Sequence, residues 1–163
     1  MAELIRERVC AEVDDEVVVF LIGMRINKFW KVWKWFPVFL AMPRMIRELS
    51  QHPELGMLAA RGHFGIRNIS VLQYWKSAKH LIDYAHGKNQ VHLPAWQAFN
   101  RQVGSNGDVG IWHETYVATK GNVESLYVNM PRYGLGTIGN IFPAKGPRAT
   151  AAKRLGTPRA EES

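Results

Sequence analysis

"GIWHETYVAT", residues Gly110 to Thr119, alternates in the manner of a β-strand. Successive side chains of a strand point to opposite faces, so Ile111, His113, Thr115 and Val117 share one face. Trp112, Glu114 and Tyr116 point the other way. Read as a strand, the stretch closes a repeating pattern of strands and helices. It also sets an imidazole where the alternation calls for an aliphatic side chain.

Upstream, "EVVVFLIGMRI" (Glu16–Ile26) is β-branched and apolar on both faces, which suits a central strand. "FWKVWKWFPVFLAMPRMIRELSQ" has apolar residues at helical spacing, at Trp30, Trp33 and Phe36 and then at Phe39, Met42, Met45, Ile46 and Leu49. Pro37 and Pro43 are each expected to kink or restart that helix. The chain turns at Pro53–Gly56. "MLAARGHFG" and "NISVLQYW" then read as a hairpin, with Ile69, Val71, Gln73 and Trp75 on one face. Ser77 is suited to cap the helix "AKHLIDYAHG", which stops at Gly87. A further helix is expected from near His92 to Gly104. A second hairpin is expected across Lys120–Gly121, pairing Gly110–Thr119 with "GNVESLYVNM", and then a glycine-rich loop, "PRYGLGTIGNIFP".

The βαββαβ core of this order predicts a ferredoxin-like α+β fold, an antiparallel sheet with helices on one face. Apolar and aromatic residues on both strand faces predict that the open face is covered too, by a second copy. The expected assembly is a homodimeric α/β barrel.

With 163 residues, 47% of them hydrophobic and 21% charged, the chain has the means for one globular core. Its single cysteine, Cys10, cannot form an intramolecular disulfide, which fits a reducing cytoplasm. "MAELIRERVC" lacks the apolar core of a secretory signal, and runs such as "WFPVFLAMP" are too short to span a bilayer. Residues 1–16 carry six acidic and two basic side chains, and residues 144–163 five basic and two acidic. The rest of the net +7 charge lies mostly between Arg25 and Lys79. The expected boundaries are a loosely held charged segment at 1–15, a domain at 16–143 and a mobile basic tail at 144–163. A basic balance raises nucleic acid as a partner, but no helix-turn-helix, zinc-finger or RNA-binding signature accompanies it. A solvated basic surface or attraction of an anionic ligand accounts for it equally well.

Six histidines are candidates for chemistry. His52, His63, His80 and His86 sit in turn or surface-helix contexts and read as ordinary structural residues. His92 precedes Pro94 at a helix start, where the dipole favours a neutral imidazole able to bind a transition metal. Trp96 and Phe99 would line the same helical face, a wall suited to a flat aromatic cofactor such as haem. His113, facing the enclosed side of the sheet, is placed to exchange protons with a bound substrate. In "NKFWKVWKWF", Lys28, Lys31 and Lys34 alternate with aromatics. A helix whose tryptophans cover the sheet and whose lysines face water is the favoured reading, over one that docks on anionic lipid through residues 28–36. "GLGTIG" lacks the strand and helix context of a nucleotide fingerprint.

The run "VVVFLIGMRINKFWKVWKWFPVFLAMPRMIREL", with "QYWKSAKHLIDYA", "HLPAW", "GIWHETY" and "NMPRYGLG", resembles a bacterial family of small monooxygenase-like proteins over roughly residues 16–142. The resemblance implies a dimeric α/β barrel. Tyr74–Ser77, Val91–Trp96, Trp112–Tyr116 and Val128–Gly136 are more distantly similar to the C-terminal half of haem-containing aldoxime dehydratases. That likeness implies His92 as the axial ligand of haem b and His113 as the proton donor. The arginine and serine that complete that site belong to a half this chain lacks, and Arg61 and Arg67 carry no matching motif.

The leading expectation is therefore a cytoplasmic, homodimeric, monooxygenase-like enzyme. It would bind haem through His92, Trp96 and Phe99 and act on a small organic substrate with His113 as acid and base. A haem-dependent lyase, a cofactor-free monooxygenase using His113 as base and a non-catalytic ligand-binding barrel are the alternatives.

Overall fold

A computed structural model of the chain describes residues 3–87 and 106–156. It divides into two compact units, Val18–Tyr116 and Met1–Val17 with Val117–Ser163.

The first unit is built on a four-stranded sheet. Its strands are β2 (Val17–Ile26), β3 (Met57–Phe64), β4 (Asn68–Trp75) and β5 (Val109–Ala118), in the order β3-β4-β2-β5. β4 runs antiparallel to both its neighbours, with Phe20 opposite Gln73 on one side and Ala60 opposite Gln73 on the other. Helix α1 (Val32–Gln51) joins β2 to β3, and α2 (Ala78–His86) follows β4. Strand order and connections are those of the expected ferredoxin-like α+β sandwich. The expected helix over His92–Gly104 lies outside the described residues.

Local chemistry accounts for the joints. Ser77 caps α2 by accepting from His80 N–H. Gly56 has φ +92°, and a Cβ there would lie 2.5 Å from the His80 ring, so both backbone and space require glycine at the turn into β3. α1 continues through Pro37 and Pro43 as one helix, so neither proline restarts it as expected. Packing holds it: Val18, Leu49, Trp75, Leu81 and Tyr84 form one buried cluster against the sheet, and Val38 and Phe39 pack on Met24, Ile26 and Val109. Burial, and then the bond donated to Glu48 at 3.0 Å, push the Tyr84 phenol well above its ordinary range.

Of the tryptophans of "NKFWKVWKWF", Trp35 packs on Met24, Ile26 and Val109 as expected, but Trp30 and Trp33 do not cover the sheet. Trp30 and Trp33 are 69% and 65% exposed. The lysines turn inward instead: Lys28 and Lys31 each place Nζ 2.8 Å from a carboxylate oxygen of Asp108, whose side chain is only 2% exposed. The two ammonium groups hold that carboxyl below its usual range. Helical phase explains the reversal. The face of α1 carrying Val38, Met42 and Leu49 is committed to the sheet side, which turns Trp33 and Phe36 outward.

In the second unit, β1 (Val9–Glu12) pairs antiparallel with β6 (Asn140–Pro143). The segment expected to be loose thus contains a strand, because its acidic content masks the apolar run Val9–Ala11, which is at most 3% exposed. "GNVESLYVNM" does not pair with β5. It reaches the N-terminal segment through isolated bridges, Ile5 to Met130 and Val9 to Tyr127. The glycine-rich stretch is a 3-10 turn, Gly134–Thr137, running into β6 rather than a loop. Within the expected tail, a short helix α3 (Ala151–Arg154) is anchored where Arg154 pairs with Glu124.

Candidate active site

Alternation along the strands sends Phe20, Ile22 and Met24 of β2, Val71, Gln73 and Trp75 of β4, and Ile111, His113 and Thr115 of β5 to one face. Met42, Met45 and Ile46 of α1 and Leu81 and Ala85 of α2 stand opposite. Between sheet and helices lies a cavity of about 1160 Å³, with a predominantly apolar wall. That volume exceeds what ligand pockets for drug-sized molecules commonly need, roughly 300–1,000 Å³.

His113 stands on this wall, as the strand reading required. It is not enclosed, however. β5 is an edge strand, and His113 is exposed, so the imidazole sits at the cavity's open margin with access to water. Its ring lies 5.8 Å from that of Phe20, tilted by 43°. His92, Trp96 and Phe99, expected to hold haem, lie outside the described residues. No group of three His, Cys, Asp or Glu able to hold a metal ion occurs among the described residues.

The four histidines read as structural have local partners where contacts are resolved. His52 Nδ1 lies 2.8 Å from Glu54, and His80 Nδ1 2.8 Å from Ser77 Oγ. His86 Nδ1 is 2.8 Å from the Ile82 carbonyl, which makes it the donor there, although its side chain also borders the cavity. Arg61 and His63 of β3 pair with Leu72 and Ser70 and so share the sheet's other face. Arg67 donates to the carbonyls of Ile26 and Asn27, both at 3.2 Å, in a structural role.

One residue was not singled out as a candidate. Gln73 is 4% exposed and lies on the cavity wall. The indole Nε1–H of Trp75, 1% exposed, donates to Gln73 Oε1 at 2.9 Å. Indole is a donor only, so this bond fixes the flip of the amide and sends Nε2 elsewhere. Nε2 approaches Met42 Sδ at 3.9 Å, a weak acceptor. A buried amide is thus held with donor capacity to spare. The signal was present in the sequence: Gln73 is an amide on an otherwise apolar strand face, as His113 is an imidazole on another. Phe20 links the two, being cross-strand partner of Gln73 and ring neighbour of His113. Their strands, β4 and β5, flank β2 and so lie roughly 10 Å apart.

What the arrangement offers chemically is a large apolar chamber, a proton acceptor at its rim and an oriented N–H donor in its wall. A family described as Monooxygenase af470-like matches residues 17–135. Monooxygenase af470 of Aspergillus fumigatus is 30% identical over 151 residues, covering 79% of this chain and 53% of that protein, so the chain spans about half the length of this relative. Among solved structures, SnoaB of Streptomyces nogalater, a cofactor-independent oxygenase, aligns with a TM-score of 0.46 at 12% identity, over 64% of this chain and 93% of that one. Protein SO0527 of Shewanella oneidensis aligns with a TM-score of 0.42 at 11% identity, over 72% and 97% of the two chains. These two are loose likenesses of form. The family match takes in every residue of the cavity wall, from Phe20 to Thr115, and the chain belongs to the monooxygenase af470-like family.

Proposed function

We propose that the protein is a monooxygenase that needs no resident cofactor, takes a largely apolar, enolisable substrate into the cavity and uses His113 as its base. The observation that carries this reading is that the His113 imidazole and the oriented Gln73 amide stand on the same sheet face, in a wall that is predominantly apolar. His113 removes a proton from a carbon whose carbanion is conjugated with a carbonyl group. Gln73 Nε2 donates to the oxygen on which the charge gathers, in a site where the amide is already positioned and needs no reorganisation. The resulting carbanion is electron-rich enough to reduce dioxygen directly. For a substrate methylene the reaction balances without any other reductant: the methylene group and one molecule of dioxygen give a carbonyl group and one molecule of water. Two C–H bonds break, one oxygen atom joins the carbon and the other leaves as water. A homodimer joined through the other sheet face, where Trp112 and Tyr116 stand exposed, is part of the same proposal.

The test is oxygen uptake with an anthrone, a fused-ring ketone whose methylene gives up a proton readily. Wild type is expected to consume oxygen without added metal, flavin or haemin. His113→Ala is expected to lower kcat/KM by about 10²–10⁴, the range for losing a general base. Uptake that depends on added haemin, or that is unchanged in His113→Ala, overturns the reading.

A further inference from the structure

Five large apolar side chains stand exposed around one end of the first unit: Trp30 at 69%, Trp33 at 65%, Phe36 at 45%, Phe64 at 75% and Ile66 at 88%. Single exposed hydrophobics are ordinary, but a cluster of this kind marks a surface made for contact. Ring contacts make it continuous. Phe36 stacks on Phe39 at 6.3 Å, and Phe39 meets Phe64 edge-on at 6.5 Å. Phe39 and Phe64 also line the cavity, so the exposed aromatics run into its wall.

The charge beside this patch is predominantly positive. Arg25, Lys28, Lys31, Lys34 and Arg67 belong to the same end of the unit, where Arg67 lies over the Phe29 ring at 4.8 Å. The acid among them, Asp108, is buried beneath Lys28 and Lys31. Neither residues 25–44 nor residues 55–82 include an aspartate or glutamate. Indole rings settle at the headgroup level of a bilayer, and cations beside them are drawn to anionic headgroups. No helix among the described residues is long and apolar enough to cross a membrane, so contact would be made from the surface.

We infer that the start of α1 and the β3–β4 turn form a docking surface for an anionic lipid bilayer, and that the cavity fills from it. An apolar substrate dissolved in lipid would pass along Phe36, Phe39 and Phe64 without crossing water. The docking rests on the exposed patch alone, while only the loading rests on the proposed use of the cavity.

The full-length protein is sedimented with vesicles of phosphatidylcholine, alone or mixed with phosphatidylserine, and its oligomeric state is read by light scattering. Wild type is expected to bind the mixed vesicles about ten-fold or more tightly than the neutral ones, and to release as salt rises. The double variant Trp30→Ser/Trp33→Ser is expected to lose about ten-fold or more of that binding at unchanged Tm, both side chains being exposed. Phe64→Ser/Ile66→Ser, on a different element, is expected to behave alike. Absence of vesicle binding by wild type, or undiminished binding by both variants, overturns the inference. So does a wild-type dimer that ignores vesicles and falls to a monomer in Trp30→Ser/Trp33→Ser, which would assign the patch to a second copy. None of these readouts needs turnover, so loss of the oxygenase reading leaves the docking result standing.

Discussion

At the scale of single residues, the site depends on a side chain being held as much as on its being present. Gln73 is held by one bond, from Trp75 Nε1–H to its Oε1, inside a region where both residues are nearly sealed from water. Gln73→Met keeps the volume and removes the acceptor. The buried indole donor is then orphaned, which costs about 1–3 kcal/mol. A protein of this length loses about 2–4 °C in Tm per kcal/mol, so thermal melts should show a clear drop, with kcat falling further than the fold does. An unchanged Tm would mean that the indole bond contributes nothing. His113 was legible as a candidate because strand alternation alone places it. Its position at the open margin was not, since exposure depends on which strand ends up at the edge. Asp108 shows the opposite case: no local pattern joins it to Lys31, 77 residues away, and only folding brings them together.

At the scale of elements, α1 is the informative one. Two prolines inside a 20-residue helix remove two backbone donors and crowd the preceding turns. An interior proline costs about 3 kcal/mol relative to alanine, so Pro43→Ala is expected to raise stability by up to about that amount. Both prolines border the cavity. Replacing a proline of this wall should therefore reshape the space beneath it, and binding of an apolar fluorescent dye such as Nile red should weaken as Tm rises. A stabilised variant with unaltered dye binding would show that the prolines do not shape the chamber. Helix and strand identities here were readable, because a period of 3.6 or 2 residues is a local property. The inward turn of the lysines was not readable, because aromatic and basic residues alternate so closely that either could have taken the covered face.

At the scale of the whole molecule, the second unit carries the long-range closure of the chain. β1 and β6 pair Cys10 with Phe142, and Cys10 Sγ–H donates to the Phe142 carbonyl across 132 residues. Glu12, at the end of β1, is bound by Arg148, whose guanidinium also lies 4.2 Å from the Phe142 ring centroid. That bond holds the Glu12 carboxyl below its ordinary 4.5. A carboxyl lowered in the folded state adds stability that is complete above its ordinary value and is lost as pH falls through the lowered one. The Tm difference between wild type and Glu12→Gln should therefore be constant at neutral pH and shrink as pH drops below 4.5. A difference that persists unchanged in acid would remove the ion pair as its source. Local pattern along the chain was enough to set the elements of the ferredoxin-like unit, their order and the face on which His113 stands, because all three follow from periodicities spanning a few residues. Which distant segments pair, where the chamber opens and which aromatics stay in water were settled only on folding. Those outcomes depend on contacts between residues far apart in the chain, and short-range pattern does not encode the partner.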